Sequence, residues 1–286
     1  MRTIRSLHEA RRADIDGLVT YQAMPTPTLA VERLEPFIFL NHHGPQTYPP
    51  HNAGLPFGPH PHRGFETVTF ILTGDVLHRD TGGYESLIGA GGVQWMTAGR
   101  GLIHAETSSA QFKAQGGALE ILQLWLNLPA RLKLTDPRYI GLQRDQVPGL
   151  KLDGGRVTIN LVAGAWDGAA APVEPLTDVH LCSVYFQPGG RLARTVAADR
   201  SLLFYVVRGT LAVNGQSVGA RHIVEFNRDG DEIEVEALTH AVLLFGHARP
   251  NGEPVASYGP FVMNTTAEIA QAIKDYRAGR FGVWPD

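Results

Sequence analysis

The sequence predicts an all-β protein, two tandem jelly-roll β-barrels followed by one short C-terminal α-helix. Three observations predict it. Glycine and proline, 32 and 19 of the 286 residues, interrupt the chain so often that short strands are favoured over long helices. Between the interruptions lie short runs rich in β-branched and aromatic residues. The segment Phe65 to Gly74 also resembles Arg200 to Gly209 when the two glycines are superimposed, an offset of 135 residues and about one domain length.

The elements follow in order. Glu66 to Leu72 reads as a strand that stops at Thr73-Gly74-Asp75. Leu119 to Leu126 sets Glu120 and Gln123 among apolar residues, as a buried strand would. The pattern returns at Leu181–Phe186, Leu202–Val207, Leu211–Val213, His222–Phe226, Ile233–Val235 and Ala241–Phe245. Between the halves, Pro129 to Gly155 reads as an irregular linker, with Pro137, Pro148 and the pair Gly154-Gly155. This sets the expected domains at 1–140 and 141–286. The helix is expected at the end. Thr265 and Glu268 form a capping box, Ile269, Ile273 and Tyr276 follow helical spacing, and Gly279 can close it.

Composition excludes several classes. No run approaches the ~20 apolar residues of a membrane helix, and Met1 to Arg12 has no apolar core, so no secretory signal is expected. A net charge of −3 argues against direct nucleic-acid binding. Cys182 is the single cysteine, so the chain can form no internal disulfide and no all-thiolate metal site; a reducing, cytoplasmic setting is expected. Cys182 itself, with no partner motif, is expected to be buried. Eight of the 12 histidines precede residue 110.

That asymmetry points to chemistry in the first half. In Gly58-Pro-His60-Pro-His62-Arg-Gly-Phe-Glu66, two histidines one residue apart on an extended segment project to the same side, and Pro61 stiffens the backbone. His104-Ala-Glu106 repeats the two-residue period. Three neutral imidazoles and one carboxylate make an N/O site for a divalent first-row metal with positions left open. Spacing leaves the carboxylate undecided. Glu66 competes with Glu106, or supports a histidine ring from behind. Projected by the 135-residue offset, His60 falls on Thr195, His62 on Ala197, Glu66 on Ser201 and His104 on Thr239, beside His240. The second half is therefore expected to lack the site.

Other residues rank lower. Arg63 and Arg100 could orient substrate oxygens or form salt bridges. Phe57, Phe65, Trp95, Met96 and Trp125 serve as core or as aromatic walls, and Gln94 as a hydrogen-bond donor in the barrel. His78 reads as an exposed strand residue. The runs Gly89 to Gly92 and Gly99 to Gly101 lack the Lys-Ser/Thr ending of a phosphate loop and read as tight turns.

The sequence from Gly54 through His60, His62 and Glu66 to His104 resembles the cupin motifs. More narrowly, His60 to Val68, Gly92 to Gly101, His104 to Glu106, Leu122 to Leu128 and Gly259 to Thr265 resemble the pirin family. The resemblance implies a bicupin with one metal site in the N-terminal barrel, its ligands falling on His60, His62, His104 and Glu106. It implies iron, as Fe(II), although zinc, manganese, copper, cobalt or nickel would suit such donors. This chain departs from relatives at Asn41-His42-His43, where they often show Asp-Glu, and its loop from Gly44 to Gly58 carries His51. His42 and His43 read as rim residues or as a further ligand.

The resemblance also implies an activity. Several pirins open flavonols such as quercetin with dioxygen, so quercetin 2,3-dioxygenase chemistry is expected. Glu106 would be the catalytic base for the 3-hydroxyl proton. The alternative implied by the family is an iron-dependent, redox-sensitive protein-interaction module that co-regulates transcription or metabolism. A metal-free cupin isomerase would leave the four-residue cluster unexplained.

Overall fold

The computed structural model describes residues 1–284. Almost every element is a strand, and no helix among the described residues is long and apolar enough to cross a membrane. The chain folds into two jelly-roll units of one plan. Each has a seven-stranded antiparallel sheet and a four-stranded antiparallel sheet.

In the unit that carries His60, His62 and His104, the large sheet runs in the spatial order 138–142, 93–97, 65–73, 117–127, 37–48, 18–24 and 11–15. The small sheet runs 57–62, 102–107, 75–80 and 85–89. The other unit repeats this plan. Its large sheet is ordered 4–9, 222–226, 201–208, 241–248, 179–186, 157–163 and 149–152, and its small sheet 191–195, 232–237, 210–213 and 216–219. The expected strands at 66–72, 119–126, 181–186, 202–207, 211–213, 222–226, 233–235 and 241–245 all lie within these elements. The repeat read from the sequence is therefore a topological one, with the 65–73 and 201–208 strands at corresponding places.

Gly74 and Gly209 end those two strands at φ +86° and +78°. A Cβ on Gly209 would lie 2.1 Å from the His240 carbonyl oxygen, whereas one on Gly215, at φ +82°, meets nothing within 4 Å. Gly209→Ala is therefore expected to cost about 2 kcal/mol or more, and Gly215→Ala about 1 kcal/mol, in urea unfolding. Equal costs would show that backbone conformation alone, and not the close approach, requires glycine at 209.

Several sequence expectations change. The stretch 129–155 is not an irregular linker. It contains Arg138–Leu142, which extends one large sheet, and Gly149–Leu152, which extends the other. The compact units are also not the consecutive halves 1–140 and 141–286. One comprises 1–11, 22–36 and 146–250; the other comprises 12–21, 37–145 and 251–286. Pairing explains the first exchange, since Ile4–Glu9 forms the edge strand beside His222–Phe226. Packing explains the second. The helix Thr266–Arg277 has the expected capping box and buries Ile269 and Ala272 against Phe261, Met263 and Phe281 of its own unit. Its Asp275 accepts from Arg63 Nη1 at 2.7 Å.

The two interiors differ in chemistry. The unit containing 146–250 is filled by an apolar cluster that includes Phe204, Leu211, Val213, Val224, Val235 and Phe245. Its 191–195 and 232–237 strands carry no histidine. Thr239 and His240, expected at the place of His104, lie beyond the end of the 232–237 strand, in a bend. A fixed offset fails there because the hairpins between equivalent strands differ in length. Cys182 is buried in this core, and desolvation pushes its thiol up to about 12.

Candidate metal centre

The four-stranded sheet that contains 57–62 and 102–107 builds the site. His60 and His62 alternate along Phe57–His62 with Pro61 between them, and His104 pairs directly with His60 on the neighbouring strand. One ring nitrogen from each of His60, His62 and His104 lies within 4.8 Å of the others. Two of the rings are anchored from behind. His60 Nδ1 is 2.7 Å from the Gly58 carbonyl, and His62 Nδ1 is 3.4 Å from that of Pro260. Both bonds fix the tautomer that presents Nε2, as supporting bonds do for ligating imidazoles. His104 is fully buried and neither of its ring nitrogens has a hydrogen-bond partner. Burial, then the neighbouring imidazoles, holds His62 and His104 well below the usual histidine range, so both are neutral. Converging imidazoles, two held by backbone carbonyls through Nδ1 and the third with no hydrogen-bond partner, are a donor set that a divalent first-row metal takes. The three histidines fit such an ion.

Glu106 stands apart from the tight trio but lines the same cavity. Its Oε1 is 2.8 Å from Thr69 Oγ1 and its Oε2 accepts from Gln123 Nε2 at 3.1 Å. Glu66 lies elsewhere. Thr69 reaches Glu106 from the 65–73 strand, and Glu66, three residues earlier, occupies the opposite face and accepts from Thr97 Oγ1 at 2.6 Å. Burial pushes the Glu66 carboxyl up. Strand parity thus removes Glu66 from the histidine cluster, a decision that spacing could not make.

The cavity has a volume of about 380 Å³. Phe39 stacks on Trp125 at 4.4 Å between ring centres, and Phe57, Gly259 and Pro260 complete its apolar wall. Phe57 and Trp125 are thus walls, as one expectation had it, whereas Phe65 packs behind Trp125 and His62. Trp95 and Met96 are buried away from the cavity, and Gln94 donates to the Val76 carbonyl. Arg63 turns toward the C-terminal helix, and Arg100 forms an exposed ion pair with Asp136, so neither faces the cavity.

His78 is not an exposed strand residue. Val76, His78 and Asp80 are the inward positions of their strand, and His78 bonds Asp80 at 2.9 Å while stacking on Tyr139. The two-residue period of 75–80 carried that signal. Of the three extra histidines, His51 is an exposed loop residue at φ +59°. His42 faces away from the cavity and bonds Glu120 at 2.8 Å, both side chains being buried. His43 lines the cavity. Thr69, Gln123 and Asn41 escaped the sequence reading as site residues. The available signal was a polar residue at an inward position of a buried strand.

Comparison with known proteins covers nearly the whole chain. The Pirin family model matches residues 17–126, and the model of the pirin C-terminal cupin domain matches 181–282. A pirin-like protein of Caulobacter vibrioides is 38% identical over 271 residues, covering 94% of this chain and 95% of its own. A crystal structure of a quercetin 2,3-dioxygenase from Acinetobacter baumannii superposes with a TM-score of 0.93 at 32% identity, over 99% of both chains. A bacterial pirin of Escherichia coli, solved in complex with nickel(II), shares the fold at 22% identity and a TM-score of 0.68, over 86% of this chain and 99% of that one.

Proposed function

Because this chain belongs to the pirin family, we propose that it is a metal-dependent dioxygenase that cleaves a flavonol such as quercetin. The observation that carries the reading is the converging histidine trio at the wall of an aromatic-lined cavity. His60, His62 and His104, with Glu106, would hold one divalent ion, Fe(II) by family resemblance. Such an ion supplies Lewis acidity toward a substrate oxygen and a route to dioxygen. A reducing cytoplasm, consistent with the single buried cysteine, would keep it divalent.

The chain's own residues supply the rest. Phe39 and Trp125 present aromatic faces that orient a planar ring, and the apolar wall excludes water, which strengthens every polar contact inside. Glu106 takes the proton of the substrate 3-hydroxyl. Thr69 and Gln123 suit it to that role. Thr69 Oγ1 lies 2.8 Å from Glu106 Oε1 and 2.7 Å from Gln123 Oε1, yet its hydroxyl has one hydrogen. With Glu106 ionised, Thr69 donates to the carboxylate. With a proton on Oε1, Glu106 donates to Thr69, Thr69 to Gln123, and Gln123 Nε2 to Glu106 Oε2. Only the second arrangement gives each of these contacts its own hydrogen; in the first, the 2.7 Å contact between Thr69 Oγ1 and Gln123 Oε1 has none, so the ring of contacts favours uptake of a proton by Glu106.

The test is oxygen-dependent loss of quercetin absorbance by metal-loaded protein, with matching oxygen uptake. Glu106→Gln is expected to lower kcat about 10²-fold or more. Absence of turnover with iron, manganese, copper, cobalt and nickel would exclude the activity.

A further inference from the structure

One edge of the cavity is polar and lies outside the tight histidine trio. Phe39, Asn41 and His43 alternate along the 37–48 strand and line the cavity together. Asn41 is 6% exposed, and its Oδ1 has no hydrogen-bond partner. A buried amide oxygen left unpaired destabilises the protein unless a ligand satisfies it.

His43 is oriented from behind. Its Nδ1 lies 2.8 Å from Thr20 Oγ1, and that hydroxyl lies 3.2 Å from the Leu18 carbonyl. The hydroxyl has one hydrogen and the carbonyl can only accept. Every group is satisfied when Thr20 donates to Leu18 and His43 Nδ1–H donates to Thr20. The ring's lone pair is then on Nε2. Desolvation, with the neighbouring His42, holds the imidazole at about 3, so it stays neutral near pH 7.

We propose that Asn41 and His43 form a hydroxyl-reading subsite, in which His43 Nε2 and Asn41 Oδ1 each accept a hydrogen bond from a phenolic O–H of the aromatic substrate. The ligand class is an aromatic bearing free hydroxyls, in preference to its O-methyl ethers, which have no hydrogen to donate. This rests on the reading that the cavity takes a flavonol. It adds which functional group of that molecule is recognised, a free phenolic hydroxyl, and by which residues. Thr20 is a positioning residue, acting only through the tautomer of His43.

The experiment is anaerobic titration of metal-loaded protein with quercetin and with its 3′,4′-di-O-methyl ether, which keeps the 3-hydroxy-4-oxo edge, alongside metal analysis. Wild-type protein is expected to prefer quercetin at least about tenfold. In His43→Leu and Asn41→Leu the affinity for quercetin should fall about tenfold while that for the ether stays within about twofold, with metal content unchanged. Thr20→Val should lose part of the preference, and His43→Gln, which retains an acceptor, should recover part of it. Equal binding of both ligands by wild type, or a preference that survives both leucine variants, overturns the subsite and leaves the flavonol reading standing. Equal losses for both ligands overturn it as well. Failure of wild type to bind either ligand overturns the flavonol reading, and the subsite with it.

Discussion

His104→Ala is expected to lower divalent-metal affinity by at least about 100-fold while leaving the metal-free protein close to wild-type stability. His104 is the fully buried member of the trio, and both of its ring nitrogens are without hydrogen bonds. Removing a ligand should cost more than removing a supporting partner, which alone is worth 10–100-fold. The metal-free fold responds differently. Truncation leaves a cavity, which destabilises, but it also removes two unsatisfied buried polar atoms, which stabilises. The two effects oppose each other. Metal added at about 100 times its dissociation constant should stabilise wild type by about 2.7 kcal/mol and the variant hardly at all. Metal analysis with thermal unfolding, with and without added ion, checks this. A variant that retains metal would move the centre away from His104.

Metal-free protein is expected to lose about 4 kcal/mol of stability between pH 7 and pH 5 through His43 and His247 alone. Burial brings each down to about 3, against 6.5 for a free imidazole. The sign follows from proton uptake. Between these values the unfolded chain binds protons that the folded chain refuses, so stability rises with pH and falls as pH drops below about 6.5. Each imidazole contributes about 2 kcal/mol over that interval. His62 and His104, also depressed, act in the same direction. Glu66, whose carboxyl is raised, acts in the opposite one. Urea unfolding at the two pH values measures the loss, and His43→Leu should remove about half of the share due to these two histidines. A stability unchanged at pH 5 would mean that the folded protein admits water or protons to these rings.

The barrel plan was legible because each unit is assembled from short local patterns. Strand, glycine turn and strand recur at 65–80 and 201–213, and Gly74 and Gly209 have the positive φ that such a corner demands. The histidine trio was legible for the same reason, since a two-residue period on an extended chain fixes which side chains share a face. What period cannot give is which face looks inward. Glu66 and Glu106 were equally eligible by spacing, and His78 read as exposed although it faces the interior. Those outcomes depend on which strands pair and which sheet covers them. The same holds for the exchanged termini, because edge pairing of Ile4–Glu9 and packing of the C-terminal helix join residues far apart in the chain.

By itself, then, the sequence determined two all-β repeats, one carrying the His60, His62 and His104 pattern and one without it, because strand period and turn chemistry act over a few residues. Tertiary structure alone decided that Glu66 lies outside the cavity and Glu106 within it. It also decided that His42 is locked to Glu120 while His43 faces the cavity, and that Thr69, Gln123 and Asn41 belong to the site. The reason is that burial and partnership are properties of the space between strands, and that space exists only once the sheets have closed.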